Sequence, residues 1–143
     1  MQTKTSIRHL PSIILSMTDY ERLANLASAV ADRIPDGSDA LLVELERAIL
    51  VADGSMRSDV VRMGSTVAYE TDAGDMREIT LVFPGDADIS QGNVSVLAPI
   101  GTALLGLSAG QSIAWTGHDA RTHRLTVVRV AEGLSPESAV RAP

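Results

Sequence analysis

The hydrophobic period of this chain changes once, from helical to alternating, and that change limits what it can fold into. From Thr18 onward, Leu23, Leu26, Val30 and Ile34 recur at helical spacing, and Thr18 with Glu21 has the spacing of a capping box. Pro35-Asp36-Gly37 interrupts the pattern. A second helix then follows, capped by Ser38 or Asp39, with Leu42, Leu45, Ile49 and Ala52 on one stripe and its end at Asp53-Gly54. Two helices joined by so short a break are expected to be antiparallel neighbours that hide each other's stripe. Arms of roughly 15 residues make a hairpin projecting about 20–25 Å.

Beyond the polar linker "DGSMRSD" the pattern becomes strand-like. "STVAYE" and "MREITLVF" read as a hairpin around Gly74, and "PGDADISQGN" as a long turn-rich loop. "VSVLA" is a short strand, and Pro99 suits the first position of a helix "PIGTALLG" that stops at Gly106. "QSIAWTG" and "RLTVVRVA" are two further strands around the turn "HDARTH". The expected fold class is therefore α+β: a short helical hairpin, then a mostly antiparallel sheet with one short helix packed on it. The apolar run from Ser95 to Trp115 would supply that helix and a central strand, with Leu104, Leu105, Leu107 and Ile113 as core. The expected divisions are an N-terminal arm and hairpin over 1–55, a sheet domain over 56–133 and a loose tail over 134–143. The apolar residues of "MQTKTSIRHLPSIIL" suggest an extra strand or an arm along the hairpin base.

Composition narrows the function classes. A formal charge of −6 argues against unaided binding to a nucleic acid backbone. There is no cysteine, which removes disulfides and thiolate metal sites and fits a reducing cytoplasm. No apolar run is long enough to span a bilayer, so no membrane partner is expected. Aromatic residues make up only 3% of the chain, which handicaps any site that needs an aromatic cage.

The search for chemistry is mostly negative. The chain holds no GxxxxGK[ST] loop, no GxGxxG between strand and helix and no HExxH, so neither a cofactor nor a resident metal is expected. His9, His118 and His123 form no convincing nucleophile–base arrangement, although Asp119 and Arg121 lie between the last two. Asp32, Asp36 and Asp39 cluster at the hairpin turn, where helix capping and a solvated turn explain them more simply than cation binding does. No catalytic residue is assigned.

One run is more specific. "GNVSVLAPIGTALLGLSAGQSI", preceded by "DADISQ" and "MGSTVAYE", resembles the C-terminal domain of the bacterial GreA/GreB transcription factors. "DALLVELERAIL", "SDVVRMGSTVAY" and "TLVFPGDAD" point to the short-hairpin branch of that family, the regulators of nucleoside diphosphate kinase. The resemblance covers roughly Thr18 to Val130. It implies a coiled-coil hairpin followed by a domain like that of the FK506-binding proteins (FKBP-like). It also implies a non-enzymatic regulator that docks on RNA polymerase at the rim of the secondary channel. Carried onto this chain, the docking edge would comprise Asp86, Asp88 and Ile89, then Ser95, then Pro99, Ile100 and Gly101, with Asp32, Asp36 and Asp39 at the hairpin tip. Ala98 departs from the pattern, because cleavage factors usually carry a polar residue before that proline.

Hairpin length separates cleavage from occupancy. Arms of about 20–25 Å would stop short of the polymerase's catalytic magnesium, so occupancy of the channel and competition with longer factors are expected, with little or no transcript cleavage. Two alternatives remain at this point. A peptidyl-prolyl isomerase would share the fold but need a proline pocket, for which Tyr69, Phe83 and Trp115 are the candidate walls. A scaffolding protein would bind some other partner. Oligomeric state is left open.

Overall fold

The computed structural model describes residues 11–116 and 119–131. His9, His118, the first ten residues of the expected arm and the expected tail lie outside that range. A short strand β1 (Ile14–Ser16) leads directly into helix α1 (Met17–Val30), and helix α2 (Pro35–Arg47) returns to strand β2 (Ile49–Val51). The remaining elements are β3 (Thr66–Thr71), β4 (Met76–Val82), β5 (Asn93–Ser95), helix α3 (Pro99–Leu104), β6 (Ser112–Thr116) and β7 (Thr122–Ala131).

The local start of α1 differs from the expectation. Ser16, not Thr18, is the N-cap: its Oγ accepts from the Asp19 N–H at 3.1 Å. Thr18 is the second residue of the helix, within its first turn, where its N–H is free to donate to Asp53 Oδ1 at 3.1 Å and its hydroxyl to Asp53 Oδ2. Those bonds favour the ionised carboxylate and hold the Asp53 pKa below its usual value.

The second helix also moves. Pro35 occupies its first turn, where a missing N–H costs nothing, so α2 begins before Ser38 and ends at Arg47. Its buried stripe is Ser38, Leu41 and Leu45, while Leu42 is 42% and Ile49 53% exposed. Ser38 can be buried because its Oγ donates to the Ala27 carbonyl at 2.8 Å, which ties α2 to α1. Ile49 to Val51, expected as helix, pairs parallel with Ile14 to Ser16. Part of the expected arm is thus a strand closing the hairpin base. Arg47 braces the same corner: it pairs with Glu44 at 2.7 Å and donates to the Pro11 carbonyl. Burial pushes the Glu44 carboxyl up, and Arg47 partly offsets that.

The main sheet has strand order β5-β4-β3-β7-β6, with β4 and β5 parallel and the other pairs antiparallel. A bulge at Ala68/Tyr69 shifts the β3–β7 register. Ser95 to Trp115 supplies no central strand. Its two strand pieces are the opposite edges of the sheet, and α3 bridges the space between them. Leu104, Leu105, Leu107 and Ile113 are buried as expected.

Hairpin and sheet share one apolar core. Leu23, Ala27, Leu41 and Leu45 from the helices pack in the same cluster as Val67, Leu81, Leu104 and Leu125. The hairpin does not stand clear of the sheet half. A Cβ placed on Gly37, in the first turn of α2, would lie 3.1 Å from the Leu97 carbonyl oxygen, just before α3.

Candidate functional site

The loop after β4 is built from two short 3-10 turns, Pro84–Asp86 and Ile89–Gln91. Asp88 fixes the second: its Oδ1 accepts from Ser90 N–H at 3.1 Å and Ser90 Oγ at 2.6 Å. Gly92 ends that turn with φ of 78°, a conformation that a Cβ disfavours. Asp88 and Asn93 then exchange two backbone hydrogen bonds of 2.9 Å, which fold the loop onto the start of β5. The result is a stiff turn that holds Ile89 79% exposed between polar neighbours.

From that bridge the chain passes Ser95, whose Oγ accepts from Leu97 N–H at 3.0 Å, and turns into α3. Pro99 and Ile100 are half-buried at the helix start, and Gly101 is buried against the turn it follows. Thr102 Oγ1 donates to the Val96 carbonyl at 2.5 Å, which locks α3 to the preceding turn. Asp88, Ile89, Ser95 and Pro99 therefore follow one another along the β5 edge onto α3. Asp86 is exposed at the end of the first 3-10 turn.

The tip residues sit beside this run. Asp32 and Asp39 are exposed, and Asp36 lines an open cleft of about 930 Å³ that Pro99 also lines. The opposing walls of the cleft are Ile34 and Val43 from the hairpin and Leu97 and Ala114 from the sheet half. Among the described residues no three His, Asp or Glu side chains gather as metal ligands.

Behind Ile100 lies a second concavity of about 280 Å³ on the sheet face. Its apolar wall is Tyr69, Ile100, Trp115 and Leu125, and Arg77 and Arg124 are also among the lining residues. Trp115 stacks on His123 at 5.0 Å between ring centroids, and His123 Nε2 lies 3.2 Å from Asp119. The Asp119 pKa is lowered, first by the Arg121 N–H and then by His123, while burial raises that of Tyr69. The sequence reading missed this grouping because its members come from β3, β4, α3, β6 and β7. The trace it did hold was Tyr69 and Trp115, named with Phe83 as candidate walls of a proline pocket; both line the concavity. Phe83 is absent from the pocket: the Arg22 guanidinium sits over its ring at 4.4 Å.

Among the described residues no helix is long and apolar enough to cross a membrane. Residues 56–132 match the family model described as transcription elongation factor, GreA/GreB, C-terminal, and residues 11–51 match that of the Rnk N-terminus. The regulator of nucleoside diphosphate kinase of Escherichia coli (strain K12) is 41% identical over 106 residues, which are 73% of this chain and 78% of that protein. The transcription elongation factor GreA of Nitratidesulfovibrio vulgaris is 43% identical over 60 residues, 41% of this chain and 38% of that one. A solved prokaryotic transcription elongation factor GreA/GreB from Nitrosomonas europaea superposes with a TM-score of 0.68 at 36% identity, covering 84% of this chain and 99% of its own. The comparisons lend no support to the isomerase alternative.

Proposed function

The chain belongs to the GreA/GreB family, in the branch of the regulators of nucleoside diphosphate kinase, and from that premise we propose that it regulates transcription by binding RNA polymerase at the secondary-channel rim. The observation that carries this reading is the stiff turn that presents Ile89 between Asp86 and Asp88, continuous along β5 with Ser95 and Pro99. An exposed apolar side chain with acidic neighbours on a pre-ordered loop suits a partner surface, because little ordering entropy is lost on binding. In this reading Ser95, Pro99 and Ile100 contact the rim, and Gly101 shapes the helix start from beneath. The sheet half acts as an FKBP-like docking module in a bacterial cytoplasmic factor without catalytic residues.

The hairpin occupies the channel mouth without cleaving the transcript. Its helices of 14 and 13 residues are about 20 Å long, and their turn rests on the sheet half. Asp32, Asp36 and Asp39 steer entry into a basic channel, an effect that salt weakens.

Titration against a labelled long-hairpin cleavage factor on core polymerase tests this, with transcript cleavage read in the same tubes. The expected result is displacement with no added cleavage. Ile89→Asp should raise the concentration needed for half-displacement at least tenfold, because its side chain is exposed and its loss leaves the fold intact. No displacement by the unaltered chain would refute polymerase binding, and displacement with new cleavage would refute the occupancy reading.

A further inference from the structure

The cleft between the hairpin and the sheet half runs along an unpaired strand edge. Among the described residues β6 ends the strand order of the sheet, and every residue from Ile113 to Thr116 lines the cleft. Side chains of a strand alternate between its two faces, so a run without gaps means that the cleft follows the edge rather than covering one face. Backbone direction agrees. The Arg124 N–H, opposite Ala114, donates to Asp72, which follows β3 on the far side of β7. The Ala114 N–H and carbonyl therefore point away from β7, off the free edge. The facing wall is Ile34, Ala40 and Val43 of the hairpin, all exposed. An apolar trough beside an open strand edge is a surface that proteins ordinarily cover.

We propose that the cleft receives the chain's own residues 3–10, which precede the described range, added as an extended segment to the β6 edge with Arg8 at Glu44 and Lys4 at Asp36. In that segment Thr3, Thr5 and Ile7 alternate with Lys4, Ser6 and Arg8, and no residue is acidic. Among the charged residues of the lining, Asp36 and Glu44 outnumber Arg33. Glu44 has room for a second cation: both Arg47 hydrogen bonds go to its Oε1, and burial pushes its carboxyl up in spite of them. The reach is right as well. Arg8 stands three residues before Pro11, about 10 Å of extended chain, and the Pro11 carbonyl is held by the same Arg47 that pairs with Glu44. Arg8 and Lys4 point to one side of an extended segment about 13 Å apart, and Glu44 and Asp36 are separated by about 12 Å along α2. The segment thus meets both carboxylates in register. Because Pro99 lines the same cleft, it would lie on the flank of the proposed docking run, but the inference does not depend on the polymerase reading.

Amide hydrogen exchange of the full chain, read residue by residue by nuclear magnetic resonance, tests this. A bare edge leaves the Ala114 N–H to exchange like an exposed peptide, whereas an added strand protects it. The proposal expects that protection in the unaltered chain and exchange at least tenfold faster at Ala114 when Lys4→Asp is combined with Arg8→Asp. Exchange at the buried Leu125 should not change, which separates loss of the added strand from loss of the fold. Asp36→Lys placed on the Lys4→Asp, Arg8→Asp background should slow Ala114 exchange again. An unprotected Ala114 in the unaltered chain, protection indifferent to the two reversals, or no recovery with Asp36→Lys overturns the proposal. Protection that fades on dilution overturns it in favour of a second copy of the chain at the same edge. No polymerase enters the measurement, so its failure and failure of the displacement assay are separate results.

Discussion

Gly101→Ala is expected to destabilise the chain by about 3 kcal/mol, the upper end of what overpacking usually costs. A Cβ at this position would lie 2.1 Å from the Ser95 carbonyl oxygen, 3.0 Å from the Ser95 carbonyl carbon and 3.1 Å from Val96 Cα. All three are backbone atoms, so no rotamer change relieves the clash. The turn from β5 into α3 must open, which strains the Thr102 to Val96 hydrogen bond and the buried Leu104 behind it. For a chain of this size the melting temperature should fall by roughly 10 °C. Gly54→Ala is the control: nothing lies within 4 Å of the added methyl and the backbone is not left-handed, so a change under about 1 kcal/mol is expected. A Gly101→Ala variant that melts with the unaltered chain would show that α3 does not press on the β5 turn. The outcome also bears on docking, since lost polymerase binding in an unfolded variant says nothing of direct contact by Gly101.

Leu41→Ala should cost about 2–5 kcal/mol, because it removes a fully buried side chain at the seam between hairpin and sheet. Its more informative feature is how the loss is distributed. Far-ultraviolet circular dichroism follows the two helices, and Trp115 fluorescence follows β6 at the far edge of the sheet. With one shared core, both signals should shift to the same lower denaturant midpoint in a single transition. A helix signal that melts early while Trp115 holds its original midpoint would mean that the hairpin is a separate unit, and the shared core would be refuted.

The strands of the sheet were legible because alternation is local: Met76–Val82 falls within the segment read from the sequence and Thr66–Thr71 overruns its segment by one residue, with Gly74 in their turn. The hairpin was legible as two helices and misread at its ends. The stripe through Leu42 and Ile49 lost to one through Leu41 and Leu45 because Pro35 starts the helix early and β1 captures Ile49 to Val51 in a parallel pair that no local pattern announces. Family resemblance pointed to the proposed docking run, whose pieces are close in sequence. The pocket of Arg77, Trp115 and His123 stayed hidden, since only strand order brings them together. The lodging of the turn at Leu97 was equally invisible, because Gly37 reads from sequence as a breaker rather than as a point of close approach.

The way β1 is tied in has a consequence for dividing the molecule. Ile13 accepts from the Ile49 N–H at 2.8 Å, Ile14 donates to the Gly106 carbonyl at 3.1 Å, and Asp19 accepts from the Met63 N–H at 3.3 Å. The first closes the hairpin base, and the other two fasten the helical half to the sheet half independently of the covalent link near Asp53–Ser55. A chain cut there would yield two peptides, each exposing half of the common core and each templating the other. The exposed 3-10 turn is the place to split the protein into complementing fragments, and association of the halves would then report on core assembly without any denaturant.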